Sequence, residues 1–227
     1  MKYYTFESRI FKASVDGGCI MIRVKVCGIT NLKDALCAVE FGASALGFVF
    51  YPESKRCVNP HDAGEIISHI PPFVASVGVF VNQEIDYITE AQRLSNFGVC
   101  QLHGDESPEY CEQIPFPKIK AIRIGEALDP DILDTVGAYP VDAILFDNYS
   151  PEAYGGTGTS FNWDILRDCR PAKPVIISGG LTPENVGEAI ALLKPFAVDV
   201  SSGVEERPGE KSASKIKKFI EAVRNEN

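Results

Sequence analysis

The sequence lacks the features of a membrane-embedded or secreted protein. No apolar run approaches the roughly 18 residues of a membrane span, and residues 1–20 lack the apolar core of a signal peptide. The seven cysteines are odd in number and form no C-x-x-C pair, and the three histidines form no metal-ligand motif. These patterns predict neither a disulfide framework nor a metal site. We therefore expect a cytoplasmic protein with no membrane partner.

Positive charge is also scarce. The 227 residues contain 22 Lys and Arg against 31 Asp and Glu, which gives a formal net charge of −9. An acidic surface repels the phosphates of nucleic acids and offers no counterion release, so we expect no nucleic-acid partner. Any anionic ligand must then be held by local donors. The hydrophobic content of 45% is typical of a globular protein with one large core or two small ones.

One strand-helix unit repeats eight times. Short apolar runs predict strands over 24–26, 45–50, 74–81, 98–102, 119–124, 143–146, 174–177 and 197–200. Amphipathic patterns predict helices over 32–41, 60–69, 85–94, 108–113, 129–136, 163–168, 183–193 and 212–223. Eight units of about 25 residues, with strands apolar on both faces, predict an α/β fold, a (β/α)8 TIM barrel with eight parallel strands. A doubly wound open sheet is the alternative, but it rarely needs eight strands.

Residues 1–21 have a different character from the rest of the chain. They mix aromatic residues with scattered charges and end, just after Gly17 and Gly18, at a second methionine, Met21. We expect residues 1–21 to be an N-terminal extension outside the core fold. Residues 22–227 are then expected to form a single barrel domain.

Two candidate catalytic residues stand at the ends of predicted strands. Cys27 ends the first strand and Asp147 follows the sixth. In parallel α/β folds the loops beyond these ends meet at one crevice or barrel mouth. Each residue alone has an ordinary alternative, because free cysteine is commonly a buried core residue and aspartate commonly caps a turn.

Small residues follow the last two strands. The seventh strand ends in Ser178-Gly179-Gly180 and the eighth in Ser201-Ser202-Gly203. Two neighbouring ends with free backbone N–H groups predict a nest for a phosphate dianion, at the position where phosphate sites recur in these barrels. Residues 155–158, GGTG, form a further glycine-rich loop that either closes over a ligand or serves as a flexible linker.

Lys25 is predicted to lie inside the barrel. It is two residues before Cys27, so strand alternation puts both side chains on one face, and that face must point inward if Cys27 reaches the mouth. A buried ammonium group needs a partner. Asp199 is the nearest candidate, because the first and eighth strands become neighbours when the barrel closes. We expect the charge of Lys25 to favour the Cys27 thiolate.

Several motifs occur together in one order. They are KVCGIT at 25–30, GFVF at 47–50, SKR at 54–56, GVFVN at 78–82, QLHG at 101–104, GGTG at 155–158, SGGL at 178–181 and VDVSSGVE at 198–205. Together they resemble the phosphoribosylanthranilate isomerase family of tryptophan biosynthesis. The resemblance covers residues 22–224, and no motif departs at a position that the chemistry needs.

The resemblance implies a reaction and a role for each candidate residue. The reaction is a cofactor-free Amadori rearrangement of N-(5-phosphoribosyl)anthranilate, a small phosphorylated substrate. Cys27 resembles the general base and Asp147 the general acid. Arg56 resembles a clamp for the anthranilate carboxylate, and Asp199 resembles a further acid in contact with the substrate. The expected substrate-binding residues also include Gly156 in the glycine-rich loop, and Gly179, Gly180, Ser201, Ser202 and Gly203 at the phosphate nest.

Other sugar-phosphate barrels and a non-catalytic binder are the alternatives. The aminoaldose isomerase of histidine biosynthesis is expected to use aspartates at the ends of the first and fifth strands, and Cys27 replaces the first of them. Indole-glycerol-phosphate synthase is expected to need a catalytic lysine and glutamates that these strand ends lack. A non-catalytic phosphate binder has no reason to keep both Cys27 and Asp147. No pattern marks a subunit interface, so we expect a monomer.

The predicted extension can be tested by truncation. Because a complete eight-unit barrel can be drawn from Ile22 onward, a chain that starts at Met21 should fold and keep its activity. Expression yield, thermal midpoint and turnover of the two chain lengths would be compared. A large loss of solubility or of thermal midpoint in the shorter chain would show that residues 1–20 cover part of the fold.

Overall fold

A computed structural model describes residues 21–125, 136–148, 162–167, 169 and 171–226. Eight parallel strands in it form one closed barrel, in which each strand pairs with the next and the eighth pairs with the first. The strands are β1 Arg23–Cys27, β2 Ala45–Val49, β3 Ala75–Phe80, β4 Val99–Leu102, β5 Lys118–Ile124, β6 Ala143–Asn148, β7 Val175–Ile177 and β8 Ala197–Val200. The prediction of a (β/α)8 barrel is therefore confirmed.

Helices follow most of the strands. They are α1 Leu32–Phe41, α2 Pro60–Ile67, α3 Ile85–Ser95, α4 Pro108–Glu112, α5 Val186–Leu193 and α6 Ala213–Asn225. Local sequence sets their ends: the Asn31 side chain accepts a hydrogen bond from the Asp34 N–H, and Gly42 ends α1 in the left-handed region. No helix in the described part of the chain is long and apolar enough to cross a membrane.

Two of the predicted helices do not appear as α-helices in the described part of the chain. The helix predicted over 163–168 is wrong in type, because the chain forms a single 3₁₀ turn at Trp163–Leu166. The segment is short and a proline, Pro171, follows closely, so a longer α-helix has little room. The helix predicted over 129–136 lies almost entirely outside the described residues.

Strand alternation divides the apolar side chains into two layers. One small cluster fills the barrel interior, and the larger cluster lies between the barrel and the helices. The interior cluster consists of Ile119, Ala121, Ala143, Leu145, Ile176 and Ala197. Apolar packing therefore fills the floor of the barrel, and the polar candidates stand above it, nearer the carboxyl ends of the strands.

A short hairpin follows β8. A 3₁₀ turn at Ser202–Val204 leads into β9 Glu205–Arg207 and β10 Glu210–Lys211, which pair antiparallel. Two hydrogen bonds fasten this hairpin to the first turn of α1 and to the loop before it. The Lys211 N–H donates to Asp34 Oδ2 at 2.7 Å, and the Thr30 hydroxyl donates to the Gly209 carbonyl at 2.5 Å.

The N-terminal extension stays a prediction. Residues 1–20 lie outside the described residues, and β1 begins at Arg23, so all eight strands belong to the segment assigned to the barrel. We propose on this basis that residues 22–227 form the domain. The monomer also stays a prediction.

Candidate active site

A cavity opens at the carboxyl ends of the strands. Its lining includes four of the sequence-predicted residues that carry functional side chains, Cys27, Arg56, Asp147 and Asp199, and also Ser201. The rest of the lining is formed by Val49, Tyr51, Ser54, Val79, Val81, Gln101, His103 and Ser178. Side chains from distant parts of the sequence thus meet at one barrel mouth.

The position of Cys27 depends on two glycines. Gly28 has a φ of 77°, and the N–H groups of Gly28 and Ile29 both donate to the Gly47 carbonyl at 2.9 Å. A Cβ atom on Gly47 would lie 2.6 Å from Cys27 Sγ and 3.1 Å from its Cα. The space beside the thiol therefore exists only because residue 47 has no side chain.

Lys25 and Asp199 form a buried ion pair. Their backbones are in register between β1 and β8, and Lys25 Nζ lies 2.7 Å from Asp199 Oδ2. Both residues are 4% exposed. The prediction that Lys25 faces the interior and pairs with Asp199 is confirmed. Within the described residues Asp199 Oδ1 is buried without a hydrogen-bond partner, and the residue lines the cavity, so this oxygen can accept a hydrogen bond from a ligand.

Burial and the charge of Lys25 act in opposite directions on the pKa of Cys27. Burial raises the pKa of its thiol above the ordinary value, the charge of Lys25 opposes this, and Asp199 adds to the rise. The effect of Lys25 thus has the predicted sign, but it is smaller than the effect of burial. The net result is a pKa above the ordinary value, so burial disfavours the thiolate on which the reaction depends.

Asp147 belongs to a chain of hydrogen bonds that the sequence did not reveal. His103 Nε2 lies 2.9 Å from Asp147 Oδ2, and Gln101 Nε2 lies 2.8 Å from His103 Nδ1. Both ring nitrogens of His103 are therefore engaged, one by Gln101 and the other by Asp147. The Asn148 N–H donates to Asp147 Oδ1 at 2.9 Å. Both carboxylate oxygens are therefore held in place.

A sequence signal for His103 existed. It follows Leu102, the last residue of β4, and so obeys the strand-end rule that selected Cys27. Gln101 shares its strand face at the i−2 position. What the sequence could not supply was the distance between the ends of β4 and β6, because that distance depends on how the barrel closes.

Arg56 reaches the cavity from the loop after β2, and its guanidinium forms an ion pair with Glu205 there. Its Nε lies 2.8 Å from Glu205 Oε1 and its Nη2 lies 2.7 Å from Glu205 Oε2. Lys211 Nζ lies 2.8 Å from the same Oε1. Neither Glu205 nor Lys211 was selected from the sequence as a site residue.

The predicted phosphate-binding segments lie side by side. Gly179 and Gly180 have φ values of 81° and 72°, which places both in the left-handed region that suits glycine. A Cβ atom on Gly203 would lie 1.9 Å from the Leu181 carbonyl oxygen, so the loop after β8 packs directly on the loop after β7. Ser201 and Ser202 precede Gly203 in this loop. Gly156 lies outside the described residues.

The described residues of the site form no metal centre. Among the residues that the structure describes, no group of three or more His, Cys, Asp and Glu side chains could hold a metal ion. Around one cavity the arrangement provides the thiol of Cys27, the guanidinium of Arg56, and the carboxyl group of Asp147, which is hydrogen-bonded to an imidazole. Such a set can transfer protons and hold anions.

Comparison with known proteins gives one consistent family. The family model described as N-(5'phosphoribosyl)anthranilate (PRA) isomerase matches residues 24–222. The N-(5'-phosphoribosyl)anthranilate isomerase of Geobacter metallireducens is 52% identical over 200 residues, which cover 88% of this chain and 98% of that protein.

Solved structures of such isomerases are also similar to this chain. The phosphoribosyl anthranilate isomerase of Thermotoga maritima is 45% identical, with a TM-score of 0.82 over 90% of this chain and 100% of that one. A further structure of such an isomerase, in complex with reduced 1-(o-carboxyphenylamino)-1-deoxyribulose 5-phosphate, is 42% identical. Its TM-score is 0.79, again over 90% of this chain and 100% of that one.

The raised pKa of Cys27 predicts how its reaction with iodoacetamide depends on pH. Below the pKa the thiolate fraction rises about tenfold per pH unit. The alkylation rate should therefore rise about tenfold per pH unit between about pH 7 and pH 8.5, without a plateau. Mass spectrometry of the Cys27 peptide gives the rate, and the exposed Cys57 in the same sample should react faster. A plateau of the Cys27 rate below about pH 8 would contradict the raised pKa.

Proposed function

Because this chain belongs to the phosphoribosylanthranilate isomerase family, enzymes of tryptophan biosynthesis, we propose that it isomerises N-(5-phospho-D-ribosyl)anthranilate to 1-(2-carboxyphenylamino)-1-deoxy-D-ribulose 5-phosphate. One observation carries the proposal beyond family membership. Cys27, Asp147 and Arg56, which come from three separate parts of the chain, line the same cavity. The substrate is a small phosphorylated molecule, and the proton transfers that it needs require no cofactor.

Asp147 acts as the general acid in this proposal. It gives a proton to the ring oxygen of the ribose, the bond from C1 to that oxygen breaks, and the lone pair of the nitrogen forms a C1=N double bond. The product of this step is a cationic Schiff base. His103, 2.9 Å from Oδ2, holds the carboxyl group in position for the transfer.

Cys27 acts as the general base. Its thiolate removes the proton from C2, the electrons of that bond form an enolamine with C1, and the enolamine tautomerises to the ketone. The thiol must first release its own proton to solvent, and burial, which raises its pKa in the free protein, opposes this step. The positive Schiff base then lies near Cys27 and adds to the charge of Lys25, and both favour the thiolate.

Three further groups hold the substrate. Arg56 binds the anthranilate carboxylate, and Asp199 Oδ1 accepts a hydrogen bond from a sugar hydroxyl group. The phosphate binds at the loops after β7 and β8, through Gly179, Gly180, Ser201, Ser202 and Gly203, and Gly156 is a further substrate-binding residue. The relative solved with the reduced carboxyphenylamino-deoxyribulose phosphate binds a molecule that carries both anionic groups, which supports an arrangement with two anion sites.

The acidic charge balance still argues against a nucleic-acid partner. We propose a cytoplasmic location, as expected for a biosynthetic enzyme of this family.

The activity itself can be tested directly. Purified protein is mixed with enzymatically generated phosphoribosylanthranilate, and the fluorescence of the substrate is followed. A decay that depends on the protein concentration supports the proposal. A stable signal at micromolar protein would leave a non-catalytic phosphate binder as the better account.

Substitutions at three positions should separate chemistry from binding. Cys27→Ala and Asp147→Asn each remove a proton-transfer group but keep the anion sites, so kcat should fall by about 10²- to 10⁴-fold with a much smaller change in KM. Arg56→Ala should also raise KM, because it loosens the carboxylate end of the substrate. Steady-state and single-turnover rates measure both effects.

A matched control is available on helix α1. Cys37→Ala removes a thiol outside the cavity and should keep the wild-type rate. A near wild-type single-turnover rate for Cys27→Ala would show that Cys27 is only a core thiol.

A further inference from the structure

Arg56, Glu205 and Lys211 form a buried chain of charges beside the cavity. Glu205 contacts both cations: Arg56 through two hydrogen bonds of 2.8 and 2.7 Å, and Lys211 through one of 2.8 Å. The exposed fractions of the side chains are 13% for Arg56, 4% for Glu205 and 1% for Lys211. Three charges are thus removed from water where two loops of the barrel meet.

Stability alone does not explain this chain of charges. Taking ions out of water costs several kcal/mol for each ion, and apolar side chains of similar size are often at least as stable as a buried ion pair. The chain of charges lies at the cavity and ends on Arg56, the one member of the three that lines it. A function in holding Arg56 accounts for both facts.

The geometry leaves one edge of the guanidinium for a ligand. Glu205 occupies the edge formed by Nε and Nη2, and within the described part of the chain the guanidinium donates only to Glu205. The second edge, formed by Nη1 and the other Nη2 hydrogen, has the fork shape that binds a carboxylate with two hydrogen bonds.

The stem of Arg56 is also fixed. A Cβ atom on Gly28 would lie 2.5 Å from Arg56 Cδ, so the side chain lies across the glycine that follows Cys27. Glu205 then fixes the head group. Stem and head together leave Arg56 little freedom to turn.

Glu205 is held in turn by the hairpin that it begins. Lys211 Nζ contacts both Glu205 Oε1 and, at 3.2 Å, the Ser201 carbonyl. The Gly209 N–H donates to Glu205 Oε1 at 3.3 Å. Since the hairpin is hydrogen-bonded to Thr30 and Asp34, the carboxylate is anchored to the loop that follows Cys27 and to the first turn of α1.

We propose that Glu205, supported by Lys211, is a positioning residue that holds the free edge of Arg56 toward the substrate carboxylate and so makes the enzyme selective for a carboxylated aryl group. The proposal rests on the proposed function of Arg56. It adds that selectivity for the carboxylate depends on two residues that need not touch the substrate.

Two ligands test the proposal by titration calorimetry. One is the reduced product analogue, reduced 1-(o-carboxyphenylamino)-1-deoxyribulose 5-phosphate, and the other is the same compound without the carboxyl group. The Kd of the ligand without the carboxyl group, divided by the Kd of the ligand with it, reports the carboxylate contact alone, since both carry the phosphate. Glu205→Gln should lower this ratio about tenfold, mainly by weakening the carboxylated ligand. Glu210→Gln, which removes an exposed partner of Arg207 in the same hairpin, should keep the wild-type ratio.

A second variant covers the case in which Glu205→Gln does not fold. That substitution leaves Lys211 buried without its partner, whereas Glu205→Gln with Lys211→Met removes both charges. The double variant should fold and show the same loss of selectivity.

The outcomes separate this proposal from the function on which it rests. Equal weakening of both ligands in the Glu205 variants would mean a merely structural role and would overturn the proposal. Loss of selectivity in Arg56→Ala but not in the Glu205 variants would overturn it while leaving the function of Arg56 intact. A wild-type protein without preference for the carboxylated ligand would overturn both.

Discussion

The buried ion pair between Lys25 and Asp199 is the constraint on which the site depends. It joins the first and last strands of the barrel and lies two residues before Cys27 on β1. Either charge left alone in the interior would be strongly destabilising, so the pair forms only if β1 and β8 meet in this register. Closing the barrel therefore places a positive charge near the thiol and leaves Asp199 Oδ1 without a hydrogen-bond partner among the described residues.

Contacts between polar side chains from different strands and loops also occur around the mouth of the barrel. His103 on the β4 end meets Asp147 on β6, and Arg56 after β2 meets Glu205 after β8. Each of these four side chains contacts a partner from another strand or loop, so His103, Asp147 and Arg56 are held before any substrate binds. Fixed charges and donors of this kind stabilise a transition state without having to reorganise during the reaction.

Some of this arrangement follows from sequence and some does not. Alternation and strand ends are properties of a single segment, which is why the sequence predicted the barrel, the inward position of Lys25 and its pairing with Asp199. The contact of His103 with Asp147 and the ion pair of Arg56 with Glu205 depend on distances between separate strands and loops. The pKa of Cys27 depends on how far burial outweighs one nearby charge, and composition cannot supply that balance.

The central claim is that Lys25 stabilises the Cys27 thiolate for proton removal from C2. Its most direct test is the pH dependence of the single-turnover rate in wild type and Lys25→Met. Because the charge of Lys25 lowers the pKa of Cys27, its loss should raise that pKa. The rising limb of the rate should therefore move to higher pH, with part of the lost rate recovered in alkali. An unchanged pH profile in the folded variant would contradict the account.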